Sequence, residues 1–349
     1  MSKPVWREEP ELAAPIIETR FHCREYGLWE HQKAFVKLAF DAHRGPHGAR
    51  LILADMVGLD KTLQLAMAGM LMALYGTRPV LVFVPETLVW QWQDEMQNLL
   101  DISSAVWTGK QWLHEHGIEY PAAGPEGIKK CPRRVGIVSQ GLVASKSDVV
   151  EYRKQLRYEC IIADEAHRAR RRNLGPHRES EKPDANNLLA FLLEVALHTK
   201  SLLLATATPV QLYPIEAWAL LNALAVGNEY VLGNDWSHWR HAGQALDLIM
   251  GRSSLPDSVE DCVHQLLSDR LEGIFKLFGQ LPDILEDVWI DVALGQLERA
   301  KMTIDAVPRQ HPFEIKYHEM KEVPWESCAV VLDSLDRKQP LVRGWGESL

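Results

Sequence analysis

Two short segments hold residue types at the spacing that phosphate chemistry requires. The first, ADMVGLDKT (54–62), ends on Lys61 and Thr62, between a short apolar run and a long apolar helical stretch. A phosphate-binding loop needs that setting. Backbone N–H groups at a helix N-terminus cradle the anion, a lysine reaches the β and γ oxygens, and a hydroxyl holds Mg²⁺. The residue before the lysine is Asp60, where close approach of backbone and phosphate calls for glycine. Asp60 adds a Cβ and a negative charge beside the anion. Alone, this segment is equally readable as an ordinary strand–turn–helix.

The second segment, IIADEAH (161–167), also follows an apolar run. An acidic pair at the C-terminal end of a strand suits ATP hydrolysis. Asp164 can hold Mg²⁺ through water, and Glu165 can orient and deprotonate the attacking water. Alone it could be a solvated loop; downstream of a phosphate-loop segment, it points to nucleotide chemistry. Directly after it comes HRARRRNLG (167–175), with Arg168, Arg170, Arg171 and Arg172. Basic residues so close together cannot all be buried unpaired, so the stretch either faces phosphates or forms a solvated loop.

The elements that must position these residues are read from apolar spacing. Short continuous runs at 51–54, 80–84, 135–138, 159–163 and 201–205 predict buried strands, and helical spacing is found at 28–43, 87–100, 148–157, 185–197 and 214–225. A further helix runs from the loop holding Gly58 to about Tyr75. Strands of this kind alternating with helices predict a mostly parallel sheet covered on both faces. Lys61, Asp164 and Thr206 should then meet at the C-terminal edge of that sheet, where open α/β folds bind ligands. Trp90 and Trp92 follow the run VLVFV (80–84); they read as core residues, with stacking on bases as the other option. Residues 1–27 read as an extended lead-in, and 228–307 as a helical insertion or appendage with helices at 236–250, 257–279 and 283–304. Residues 308–349 read as an irregular tail.

Composition narrows the class. With 46% hydrophobic and 24% charged residues, the chain has ordinary globular proportions. Its five cysteines are scattered without a C-x-x-C pair, which argues against a zinc site or disulfide framework and suits a reducing cytosol. No stretch reaches the ~18 consecutive apolar residues of a membrane span, so a cytoplasmic location without membrane partners is expected. The net charge of −9 conceals an uneven distribution, with 14 Lys or Arg against 7 Asp or Glu between Ile128 and Lys182. Such a region is either a solvated surface or an electrostatic footprint for nucleic acid.

Six segments in order carry a resemblance: LWEHQ (28–32), LILADMVGLDKTLQ (51–64), VLVFVPETLVWQWQDEM (80–96), VGIVSQ (135–140), IIADEAH (161–167) and LLLATATPVQLYPIEAWALLNAL (202–224). Together they resemble the N-terminal motifs of Swi/Snf-type, D-E-A-H-containing helicases of superfamily two, over about residues 28–224. The resemblance implies a three-layer α/β P-loop NTPase (RecA-like) lobe at 28–227 that binds ATP and Mg²⁺ and moves on nucleic acid, duplex DNA in particular. Gln32 resembles the adenine-recognising glutamine. Gly58, Lys61 and Thr62 resemble the ATP contacts, with Thr62 and Asp164 on Mg²⁺ and Asp164 and Glu165 as the hydrolytic pair. His167, Thr206 and Thr208 resemble the residues that couple nucleotide state to the nucleic-acid track. Pro85, Glu86, Thr87, Ser139 and Gln140 resemble contacts to that track's backbone.

Two departures bear on activity. The family's loop reads D-E-x-G-L-G-K-T, whereas this chain has Met56 and Asp60 at two of those positions. A carboxylate a few ångströms from a phosphate oxygen repels it by ~4 kcal/mol at an effective dielectric of 20. Nor does a second strand–helix series, with the arginine finger it would bring, appear before Leu349. The expectation is therefore an ATP-binding first lobe whose second lobe lies elsewhere, a second chain being one source. The alternative is a catalytically dead nucleic-acid-binding or scaffold module that keeps the fold. A stand-alone P-loop phosphotransferase is disfavoured by the TAT segment (206–208) and its following helix.

Overall fold

The computed structural model describes residues 28, 30–55, 61–145, 148–175, 178, 181–209, 213, 215–233, 236–249, 328 and 340–345. The lead-in at 1–27, the loop residues Met56, Gly58 and Asp60, the helices expected at 257–279 and 283–304, and most of the tail lie outside them. The chain divides into two compact units, residues 1–242 with 322–349, and residues 243–321. The first unit carries the sheet and every expected site residue.

Eight strands form one sheet: β1 (Arg50–Leu53), β2 (Val80–Val84), β3 (Ser104–Trp107), β4 (Gln111–His114), β5 (Glu119–Pro121), β6 (Val135–Ser139), β7 (Tyr158–Ala163) and β8 (Thr199–Ala205). Their order across the sheet is β1-β8-β7-β2-β6-β3-β4-β5. Every pairing from β1 to β3 is parallel, and β3-β4-β5 is an antiparallel meander at one edge. The five strands expected from apolar runs are thus five of the six parallel strands; the sixth, β3, is a buried four-residue strand at 104–107 that those runs do not include. The meander has no counterpart among those runs, because β4 and β5 are only four and three residues long and are partly or wholly exposed along one side.

Helices cover both faces. On one side α1 (Glu30–Arg44), α2 (Lys61–Tyr75) and α3 (Val89–Leu100) pack on Val80, Val82 and Val84; on the other α5 (Val149–Lys154), α6 (Asn187–Val195) and α7 (Ile215–Ala225) pack on Leu81 and Phe83. The short α4 (Gly141–Ala144) precedes α5. Alternation along β2 sends successive side chains to opposite layers, which is why a strand buried on both faces reads as a continuous apolar run. In α2 every residue from Gln64 to Ala73 is buried, as expected of a helix apolar all round. Gly69 fits because a Cβ there would come within 2.8 Å of Ile162 Cδ1 on β7.

At the N-terminal edge of the sheet, residues 340–345 return to the lobe. Trp345 is buried, donates its indole N–H to Arg134 O at 3.0 Å, and lies over β6, where a Cβ on Gly136 would meet it at 2.5 Å. The sequence there has no period, so only the bulk of Trp345 hints at an anchor. α8 (Ala242–Ile249) follows α7 after two short helical turns.

Candidate nucleotide and nucleic-acid site

The C-terminal ends of the adjacent strands β1, β8, β7, β2 and β6 share one edge of the sheet, and the expected site residues emerge from them. Lys61 opens α2 after β1, Asp164 and Glu165 follow β7, Thr206 and Thr208 follow β8, and Pro85 and Gln140 follow β2 and β6. The edge is tied across its strands, with Thr206 N donating to Leu53 O at 3.0 Å, Asp164 N to Phe83 O at 3.1 Å and Gln140 N to Val84 O at 2.8 Å.

Asp164 is buried and held at several points. Its Oδ1 accepts the Glu165 N–H at 2.9 Å, its Oδ2 accepts the indole N–H of Trp92 at 3.1 Å, and its backbone oxygen accepts Gln140 Nε2 at 2.6 Å. Glu165 has φ of 45°, a left-handed conformation that side-chain-bearing residues seldom adopt and that collects at functional turns. That turn leaves Glu165 Oε2 3.1 Å from His167 Nδ1, which lies 3.0 Å from Thr206 Oγ1. Thr206 Oγ1 also accepts the Thr208 N–H at 3.1 Å. A carboxylate, an imidazole and a hydroxyl are therefore joined across the ends of β7 and β8.

On the β1 side, Lys61 Nζ donates to Asp55 O at 2.9 Å, and Gln64 Nε2 donates to the Asp55 carboxylate at 2.9 Å. Asp55 thus braces the first turn of α2, a role its sequence position does not reveal. Thr62 is half-buried beside Lys61 on that turn. Gln32 lies buried on α1. On the same helix, burial lowers the pKa of the His31 imidazole against the pull of Asp55. Gly58 and Asp60 lie outside the described residues.

The profile model of the SNF2-related domain matches residues 31–274. This chain belongs to that family. Among curated relatives, the RNA polymerase-associated protein RapA of Klebsiella pneumoniae (strain 342) is 25% identical over 239 residues, 67% of this chain and 23% of RapA. The chain therefore spans about a quarter of that relative's length. Among solved structures, the Sulfolobus solfataricus SWI2/SNF2 ATPase core in complex with dsDNA aligns at a TM-score of 0.45 with 14% identity. That alignment covers 89% of this chain and 65% of the other.

Within this SNF2-related domain the expected nucleic-acid contacts separate into two groups. Arg168, Arg170 and Arg172 are exposed, whereas Arg171 is 1% exposed. Arg171 Nε donates to Asn173 Oδ1 at 2.9 Å, and its Nη2 to the carbonyls of Arg178 and Glu181 at 3.0 Å each. It pins the loop that displays its neighbours. Arg172 stays at the surface, 3.6 Å from Asp184. Gln140 is 2% exposed and bonded inward, which makes it a brace between strand ends. Glu86 and Thr87 are exposed and Pro85 is buried. The two tryptophans also part: Trp92 is core, but Trp90 is 51% exposed, against the expectation that both are core.

The Asp164 carboxylate and the Thr62 hydroxyl are oxygen donors of the type that Mg²⁺ takes. Among the described residues, no three His, Cys, Asp or Glu converge to hold a metal alone. One carboxylate and one hydroxyl are what Mg²⁺ takes where phosphates and water complete its shell. No helix among the described residues is long and apolar enough to cross a membrane.

Proposed function

We propose that this SNF2-related domain is the ATP-binding first lobe of a DNA translocase, and that its turnover depends on a second lobe, carried by further sequence or by another chain. The observation that carries the reading is the Glu165–His167–Thr206 linkage beside Asp164, on the strand edge from which Lys61 also starts. When bound, Mg·ATP supplies the anhydride to be cleaved and a metal that neutralises charge on its β and γ oxygens. Lys61 and the N-terminus of α2 would hold the phosphate charge. Thr62 and Asp164 would hold the metal, and Glu165 would accept the proton of the attacking water. His167 joins that carboxylate to Thr206, so a change at the phosphate side is felt at the segment after β8. Exposed Arg168, Arg170 and Arg172, with Glu86, Thr87 and Ser139, would line the track for duplex DNA. A cytoplasmic setting is proposed with it.

One observation favours the second reading, a nucleic-acid-binding or scaffold module without catalysis: in the sequence, Asp60 precedes Lys61 where a phosphate-binding loop calls for glycine. Titration with Mg·ATP of the Asp60→Gly chain, and of Lys61→Ala and Glu165→Gln made in that background, tests the first. Glu165→Gln should keep nucleotide affinity within about threefold, since the carboxylate acts in the chemical step. Lys61→Ala should weaken it by about an order of magnitude or more, the cost of losing a charged hydrogen bond. Equal, measurable binding by the Asp60→Gly chain with and without Lys61→Ala would contradict the assignment.

A further inference from the structure

Trp92 is buried on α3, and its indole N–H reaches Asp164 Oδ2 across the face of the sheet at 3.1 Å. We propose that Trp92 is a positioning residue for the metal-holding carboxylate, fixing the orientation of Asp164 from α3. This role rests on the reading of Asp164 as the Mg²⁺ carboxylate.

Packing alone does not account for the contact. The other indoles with described hydrogen bonds donate to backbone carbonyls: Trp112 to Gly127, Trp218 to Trp239 and Trp345 to Arg134. Trp107 is buried with its Nε1 unbonded, so this fold tolerates an indole that serves only as bulk. Trp92 instead directs its donor to a carboxylate of the site. The torsion that turns an aspartate carboxylate is broad, so partners must set the direction of its oxygens. Here Oδ1 takes the Glu165 amide and Oδ2 takes Trp92. Each oxygen accepts more than one hydrogen bond, so both keep capacity for water on a metal. This is the outer-shell arrangement by which metal-holding groups are aimed. It also ties that aim to α3, the helix directly after the exposed Glu86 and Thr87.

The test replaces Trp92 by benzothienylalanine, which keeps the ring shape and substitutes sulfur for N–H, with Trp92→Phe as the genetic counterpart. Both are made in the Asp60→Gly chain, which removes the proposed obstacle to binding. Calorimetry then gives ATP affinity as a function of Mg²⁺. The Mg²⁺ needed for half-maximal ATP binding should rise about tenfold or more, the usual effect of losing an outer-shell partner. ATP affinity without metal should stay the same. In parallel, the indole ¹⁵N–¹H resonance of Trp92, recognised by its loss in Trp92→Phe, should move when Asp164→Asn is introduced. An unmoved resonance, or an unchanged Mg²⁺ requirement in the sulfur isostere with ATP still bound, would overturn the inference alone. Loss of all ATP binding by the parent Asp60→Gly chain would overturn the ATP-lobe reading and this inference with it.

Discussion

Glu159 shows how a charge is kept inside this lobe, and what acid should do to it. It lies near the start of β7, and its carboxylate is 3.1 Å from His43 Nε2, 3.3 Å from the Arg78 amide and 3.8 Å from Lys200 Nζ. Gly76 leaves room for it, since a Cβ there would come within 2.0 Å of its carboxyl carbon. Burial pushes its pKa up. The hydrogen bond and charge of His43, then the Arg78 amide and Lys200, outweigh that and hold it below the ordinary value of 4.5. A carboxyl depressed in the folded state contributes stability that is complete above its unfolded pKa and is lost as pH falls through the folded one. Thermal melts should therefore drop in the region below about pH 4.5, and Glu159→Gln should flatten that acid limb. The same variant should be less stable at neutral pH, by about 3 kcal/mol if the partners of a buried pair are left uncompensated. An acid limb unchanged in Glu159→Gln would mean that other carboxyls set it. At this scale the sequence reveals where a residue falls along an element better than what it touches. That Asp164 and Glu165 follow a buried strand is legible from the apolar run before them. Trp92 is not distinguishable from Trp90 by composition, although two residues along a helix turn about 200° and so separate core from solvent.

The basic stretch after β7 shows the same limit at the scale of an element. Charge density marks the loop, but not which arginine faces inward, because its partners include backbone carbonyls that no side-chain pattern announces. Arg171→Ala should destabilise the loop by about 2 kcal/mol or more, through three lost charged hydrogen bonds, and raise amide exchange across 172–184. Replacing Arg168, Arg170 and Arg172 together should leave the melting temperature near that of the parent. Their loss should reduce the log–log salt slope of duplex binding by about 0.9 for each phosphate contact removed. Salt slopes that respond to Arg171→Ala alone would reverse this assignment. The parallel strands are legible as runs such as VLVFV (80–84), since burial on both faces leaves no polar alternation. The β3–β5 meander does carry a signal: Thr108–Gly109–Lys110 forms its first turn, with Gly109 at φ 98°, and along β4 Trp112 and His114 are buried between half-exposed neighbours. Four residues of alternation are too few to separate a strand from a loop.

Across the whole lobe, the N-terminal edge of the sheet is closed by the chain's own residues 340–345, while the opposite edge gathers the groups proposed to face the nucleotide. Trp345 contacts Trp112 and Tyr158 at ring-centroid distances of 5.4 and 6.0 Å. Trp345→Ala should cost about 3–5 kcal/mol, the range for truncating a buried aromatic, and lower the melting temperature; an unchanged melt would mean that the segment is not held there in solution. The proposed function rests on the opposite edge. Lys61, Asp164, Glu165 and Thr206 follow strands that end there, and Asp60 is proposed to oppose nucleotide binding. Calorimetry of Mg·ATP against the native chain and Asp60→Gly sets the two against each other. Glycine removes the charge and the side-chain bulk beside the phosphates, so affinity should rise by about two orders of magnitude or more. Hydrolysis should stay slow until an arginine finger, worth about 10³ to 10⁵ in rate, is supplied by a second lobe. Equal affinities in the two chains would contradict a blocked loop, because Asp60 would then stand away from the phosphates.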